Sequence, residues 1–120
     1  MKKSKSQNPA MLGLLQELLS KAREEKAEIW RDLAKRLSRS SSRIAEVNLS
    51  RIARYTDKGS IVAVPGKVLG SGIIYQPITV AAFKFSEQAK EKIRAAGGEC
   101  ISLQELMERL PQGSNVKIME

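Results

Sequence analysis

The sequence predicts an α+β fold, in which basic helices come first and alternating strands and helices follow. In residues 1–56, apolar side chains recur every three to four positions, which is the spacing of one buried helix face. In residues 57–120, short β-branched runs alternate with capped helical segments. We therefore predict a basic helical portion (1–56) packed on a mixed strand/helix core domain (57–120), as one compact unit.

The first helix is predicted to begin at Pro9, because Asn8 is a favourable N-cap and proline is well tolerated at the first helical position. A second helix is predicted over residues 27–37. Trp30 lies on its apolar face, so we expect it in the core and not stacked on a base. The predicted apolar stripes are Met11, Leu12, Leu15, Leu18, Leu19 and Ala22 in the first helix, and Trp30, Leu33, Ala34 and Leu37 in the second.

A serine-rich basic segment, residues 38–43, follows the second helix and contains no apolar side chain. Such a segment is either a mobile linker or becomes ordered on a partner. Residues 45–48 are ambiguous between a strand and the entry to a helix. A third helix is predicted over residues 49–56, with Arg51 and Arg54 one turn apart on its outer side.

Strands are predicted at residues 60–64, 78–85 and 115–119, where β-branched and apolar residues cluster. The first two enclose the glycine-rich segment 65–72. The glycines there permit a close backbone approach, which suits a cradle for RNA phosphate and sugar. A plain turn between two strands explains the same residues, and both interpretations remain open.

Serine residues mark the helices of the second half. Ser86 is a predicted N-cap, and the glycines at 97–98 end the helix that follows. Ser102 and Glu105 have the spacing of a capping box, and Pro111 closes the next helix.

The net charge favours a polyanionic partner. The chain has 21 Lys and Arg against 13 Asp and Glu, a formal net charge of +8. Residues 1–56 hold 13 basic and 6 acidic side chains (+7), whereas residues 57–120 hold 8 and 7 (+1). Such asymmetry builds a one-sided basic surface, on which each neutralised phosphate releases counterions.

Whole classes of chemistry are excluded by composition. There is no histidine, so neither an imidazole ligand nor a Ser-His-Asp triad is available. Cys100 is the single cysteine, so no disulfide forms within the chain, and we expect a small core side chain there. No run approaches about 20 apolar residues, and the basic N-terminus lacks the apolar stretch of a signal peptide. We expect a soluble, cytoplasmic protein.

Nucleotide-binding enzyme motifs fail in the glycine-rich segment. A phosphate-binding loop of the Walker type needs Ser or Thr after its lysine, but Lys67 precedes Val68. The glycines at 70–72 lack the third glycine of a dinucleotide fingerprint. The adjacent Glu24 and Glu25 point about 100° apart on a helix, so they are poorly placed to act together in general acid–base catalysis. We predict no enzymatic activity, no metal, no cofactor and no small-molecule substrate.

Two motifs, AEVNLSRIARY (residues 45–55) and VPGKVLGSG (residues 64–72), resemble the archaeal and eukaryotic large-subunit ribosomal protein family numbered eighteen-e. The likeness also includes residues 35–37, 78–82 and 113–116, and so covers nearly the whole chain. The chain's length favours an archaeal member.

The resemblance implies a fold related to the C-terminal domain of the bacterial large-subunit ribosomal protein fifteen, an irregular superhelix of strands and helices that is preceded here by helices. It implies a non-catalytic structural constituent of the large ribosomal subunit, with large-subunit ribosomal RNA and neighbouring ribosomal proteins as partners and no membrane. The alternative is a free RNA chaperone or regulatory RNA-binding protein of the same fold. The two differ in how firmly the protein stays on the ribosome.

By motif match, the resemblance assigns RNA contacts to Lys35, Asn48, Arg51 and residues 65–72. The chain departs from the family at residues 40–44, where serines replace a proline, arginines and a histidine. Aromatic residues are 4% of the chain, so binding through backbone and shape is favoured over a broad stacking platform. The predicted RNA-binding residues are Lys35, Arg36, Arg39, Arg43, Asn48, Arg51, Arg54, Gly66, Lys67, Gly70, Ser71 and Gly72.

Overall fold

The structure is a computed structural model that describes residues 9–39 and 44–120. The predicted N-cap Asn8, the lysines near the N-terminus and Arg43 lie outside the described residues. The elements, in chain order, are α1 (Pro9–Glu25), α2 (Glu28–Ser38), β1 (Ala45–Asn48), α3 (Leu49–Arg54), β2 (Ile61–Leu69), β3 (Thr79–Phe85), α4 (Glu87–Ala95), β4 (Glu99–Ser102), α5 (Leu103–Arg109) and β5 (Val116–Ile118).

The described strands form one parallel sheet in the order β1-β2-β3-β4, and β5 also pairs with β2. β5 pairs with residues 61–63 of β2, whereas β1 pairs with residues 66–69. Because β3 occupies the other edge of β2, β1 and β5 lie one after the other along the same edge. The α+β class is confirmed, and the ambiguous residues 45–48 are a strand.

Helices cover both faces of this sheet, and each face has its own core. Ala63 and Ala81 pack into the core formed with α1, α2 and α5. Val62, Val64 and Val80 pack into the core formed with α3 and α4. A sheet covered on both faces buries consecutive residues of a strand, which explains why β2 and β3 are apolar without alternation.

The apolar stripe of α1 differs in part from the prediction. Leu14, Leu18 and Ala22 are the buried residues, whereas Leu12 and Leu19 are 42% and 41% exposed. The helix carries leucines around more than one face, so spacing alone does not single out the stripe that packs on α2 and α5. None of the described helices is both long and apolar enough to span a membrane.

The prediction that residues 65–72 form a glycine-rich loop is wrong for the first five of them, because β2 continues to Leu69. Pro65 lies where the register between β2 and β3 shifts, between Val64 and Lys67. Proline has no N–H to donate to a ladder, so strands tolerate it at such irregular positions. Only the last three residues of the segment leave the sheet.

The N-caps predicted at Ser86 and Ser102 are confirmed. Ser86 Oγ accepts a hydrogen bond from Ala89 N (3.2 Å), and Ser102 Oγ accepts one from Glu105 N (3.0 Å). The third helix ends at Arg54, two residues earlier than predicted.

Trp30 is a core residue, as predicted, with no exposed surface. Its Nε1 atom donates to the carbonyl oxygen of Pro111 across 2.7 Å. The indole therefore joins α2 to the turn that follows α5, and its one polar atom is satisfied inside the protein.

Candidate nucleic-acid interface

The last two turns of α2 present basic side chains beside an acidic residue from the other end of the chain. Arg36 donates from Nε to Asp32 Oδ1 (2.9 Å) and from Nη1 to Glu120 Oε2 (2.8 Å). The hydrogen bond to Asp32 raises the pKa of Arg36. Arg39 donates to the same Glu120 oxygen across 3.2 Å, and Lys35 is exposed nearby. Glu120, at the other end of the chain, was not predicted as a partner of these basic side chains.

A depression of about 340 Å³ lies between α2, α3 and β5. The Arg51 guanidinium lies over the Tyr55 ring, with 5.5 Å from Cζ to the ring centroid. Lys117 Nζ donates to the backbone oxygen of Tyr55 across 2.6 Å. Within residues 9–39 and 44–120, neither Arg51 nor Lys117 takes part in an ion pair, so both keep their net charge. The lining residues are Arg36, Arg51, Tyr55, Lys117, Ile118, Met119 and Glu120.

Of these seven residues, Arg36 and Arg51 were among the predicted contacts, whereas Tyr55 and Lys117, which supply the ring and the ammonium, were missed. Lys117 lies 62 residues after Tyr55, and only the parallel pairing of β5 with β2 brings the two together. The sequence held one signal for Lys117, which stands between two β-branched residues in a predicted strand. In the structure it is the exposed middle residue of β5, between the half-buried Val116 and Ile118.

Residues 70–72 form a connection that is hydrogen-bonded to the start of α3. Ser50 N donates to the Ser71 oxygen (3.0 Å), and Ser71 N donates to Asn48 Oδ1 (3.3 Å). Asn48 thus uses its side chain within the protein, while Ser71 stays exposed. Gly72 has φ +104°, and a Cβ there would overlap the Ser50 backbone, so glycine is required at this position.

Lys92 of α4 holds the same connection from the other side. Its Nζ atom donates to the carbonyl oxygens of Gly70 and Gly72, each across 2.8 Å. Lys92 was not predicted as a contributor to the site. Lys92 lies 22 residues after Gly70 and 20 residues after Gly72, in α4, a helix that contains none of the predicted RNA-binding residues.

Gly66 and Lys67 lie in β2 and not in a loop. A Cβ on Gly66 would overlap the carbonyl oxygen of Ala45, so the packing of β1 on β2 requires this glycine. Lys67 is half-buried, in register between Glu46 of β1 and Lys84 of β3.

The predicted residues therefore divide into two groups, which the β1–α3 segment joins because it carries both Asn48 and Arg51. Arg54 is exposed on α3 and does not line the depression. The first group, around the ends of α2 and β5, is Lys35, Arg36, Arg39 and Arg51. The second, around residues 70–72, is Asn48, Gly70, Ser71 and Gly72.

Shifted pKa values occur away from the depression as well. The Arg109 guanidinium bonds Glu99 Oε2 (2.8 Å) and lowers the pKa of Glu99. Burial raises the pKa of the Cys100 thiol. In the part of the chain that the structure describes, no cluster of His, Cys, Asp and Glu could hold a metal ion.

The depression itself offers guanidinium and ammonium donors and an aromatic ring, a combination suited to an anionic ligand.

The comparisons with known proteins agree with the resemblance seen in the sequence. The family described as Ribosomal protein 60S L18 and 50S L18e matches residues 1–120. The Large ribosomal subunit protein eL18 of Methanococcus maripaludis is 45% identical over 119 residues, 99% of each chain. Those of Methanoregula boonei and Archaeoglobus fulgidus are each 46% identical over 112 residues, which is 93% of this chain and 93% and 96% of theirs. This chain belongs to the family Ribosomal protein 60S L18 and 50S L18e.

Proposed function

We propose that this chain is a structural constituent of the large ribosomal subunit, where it binds and braces large-subunit ribosomal RNA. The observation that carries the proposal is the family match over the whole chain, together with relatives of nearly equal length that are named as large-subunit proteins. Its partners are ribosomal RNA and neighbouring ribosomal proteins in the cytoplasm, and it has no catalytic activity.

The basic side chains of the first group contact phosphates in this proposal. Arginine presents a planar fork of donors that matches phosphate geometry, and Arg51 is not neutralised by a carboxylate within the described residues. Arg36 and Arg39 reach Glu120 through ion pairs at the surface, with side chains 30% and 62% exposed. Exposed pairs contribute about 0–1 kcal/mol, so a phosphate can replace the carboxylate at low cost.

Residues 70–72 make the second contact region. Because Lys92 and Asn48 hold their backbone, Ser71 is presented to RNA in one conformation. Gly66 contributes indirectly, since it lets β1 and α3 pack close to β2.

The experiment is sedimentation of native extract through a sucrose gradient, repeated after a high-salt wash, with the protein followed by mass spectrometry. A structural constituent stays with the large subunit at about one copy per particle. Substoichiometric, salt-labile association would instead indicate the free RNA chaperone or regulatory protein. A chain that runs free at low salt would overturn ribosomal binding altogether.

A further inference from the structure

We propose that the depression between α2, α3 and β5 binds a single unpaired RNA nucleotide, with its base on Tyr55 and its phosphate on Lys117 and Arg36. This inference rests on the proposed function and specifies the RNA feature that this part of the surface recognises. It adds Tyr55 and Lys117 to the binding residues that the family resemblance implies.

Tyr55 is suited to stacking because of its exposure and its neighbour. Tyr55 is 48% exposed, and the guanidinium of Arg51 lies over its ring. Unpaired bases in protein–RNA complexes stack on aromatic rings and on guanidinium planes. With the guanidinium over one face of the ring, a base can stack on the other face of the ring or on the guanidinium itself.

Lys117 supplies the charge at the same place. Its ammonium has three donors, and the Tyr55 carbonyl oxygen, 2.6 Å away, takes one of them. A carbonyl does not neutralise the ammonium, so its charge and two donors remain for a phosphate oxygen. Arg36 adds a second cation at the rim, where Glu120 now accepts from Nη1.

The other exposed tyrosine provides a contrast. Tyr75 is 80% exposed, more than Tyr55. The depression beside it is about 80 Å³, and its lining carries no formal charge: Ala53, Thr56, Ile74, Gln76 and Ile78. A base on Tyr75 would find no cation there for its phosphate, so exposure alone does not choose between the two rings.

The first test is affinity for a large-subunit ribosomal RNA transcript from the source organism, measured by filter binding over a series of salt concentrations. Tyr55→Ala and the bulk-preserving Tyr55→Leu should each weaken binding about tenfold, as loss of one base–aromatic stack does. Tyr55→Phe should bind as the wild type does. Lys117→Gln should reduce the slope of log affinity against log salt by about 0.7 to 0.9, the value of one phosphate contact.

Tyr75→Ala is the matched control and should leave affinity and slope unchanged. Irradiation at short ultraviolet wavelength, followed by mass spectrometry, should place a cross-linked nucleotide on the peptide that contains Tyr55. Wild-type affinity in both Tyr55→Ala and Tyr55→Leu, or a cross-link at Tyr75 in place of Tyr55, would overturn the nucleotide site while the proposed function stands. Failure of the wild-type chain to bind the transcript would overturn both.

Discussion

Lys92 Nζ lies 2.8 Å from the carbonyl oxygen of Gly70 and donates to it. The same ammonium donates to Gly72, so one side chain of α4 spans the connection on both sides of Ser71. Hydrogen bonds from charged donors are stronger than neutral ones, and two of them fix the backbone of this short segment. The shape of the proposed RNA contact thus depends on a lysine that is directed into the protein.

Lys92→Met should therefore weaken RNA binding without removing a phosphate contact. We expect affinity for the ribosomal RNA transcript to fall about tenfold, because two charged hydrogen bonds that order residues 70–72 are lost. The slope of log affinity against log salt should not change. Lys90→Met, on the same helix, removes an exposed pair with Glu87 and should leave both the affinity and the slope unchanged. If Lys92→Met reduced the slope by about 0.7 to 0.9, the value of one phosphate contact, Lys92 would contact RNA directly.

Alanine substitutions at three glycines should test the close approaches that these residues permit. Gly66→Ala and Gly72→Ala each place a Cβ against backbone, which should lower the free energy of unfolding by about 1–3 kcal/mol. Gly70→Ala places a Cβ 2.7 Å from the Cβ of Gln88, an atom that the backbone of α4 holds in place, so this variant should be destabilised as well. Chemical denaturation measures all three. Wild-type stability in all three variants would show that these close approaches are not needed.

Glu120→Gln should strengthen RNA binding. The carboxylate is shared by Arg36 and Arg39, and its removal frees Arg39 and the Nη1 donor of Arg36 for phosphate, while Arg36 Nε stays with Asp32. We expect a two- to fivefold gain in affinity, about the value of an exposed ion pair. Glu108→Gln, an exposed position on α5, controls for the general loss of negative charge. A fall in affinity for Glu120→Gln would mean that Glu120 holds the arginines in place for RNA.

Arg109→Gln should change how stability depends on pH. Arg109 lowers the folded-state pKa of Glu99, so the pair stabilises the protein above the ordinary glutamate pKa, about 4.3. That stabilisation is lost as pH falls through the lowered folded-state value. In urea unfolding, the difference in free energy of unfolding between wild type and Arg109→Gln should be present at pH 7 and shrink as pH falls through the lowered pKa of Glu99. A difference that stays constant in acid would exclude a role for Glu99. Lys90→Gln, which removes an exposed pair on α4, serves as the control.

Local signals in the sequence predicted the elements well. Ser86 and Ser102 cap their helices, and Trp30 is buried. Each of these depends on a residue and its neighbours within one or two helical turns. The backbone hydrogen bonds and the apolar face are set at that range, so the spacing is sufficient.

The parts that were missed depend on long-range pairing. Pro65 and Gly66 are common turn residues, and only the arrival of β1 along the edge of β2 explains a strand there. Glu120 reaches Arg36 across 84 residues, and Lys117 reaches Tyr55 across 62. Hydrophobic periodicity carries no information about which distant segment becomes a neighbour. The predicted RNA residues Arg36 and Arg51 therefore emerged from sequence, but the depression they share did not.

The central strand also sets the order of events as the chain folds. β2 takes its partners from segments that stretch from residue 45 to residue 118, and every one of these ladders is parallel. No hairpin can nucleate such a sheet, so its assembly is slow relative to that of the helices. The edge of β2 at residues 61–63 stays open until β5 has been synthesised, and β5 carries Lys117. A nascent chain thus closes its sheet and completes the cationic depression in the same step.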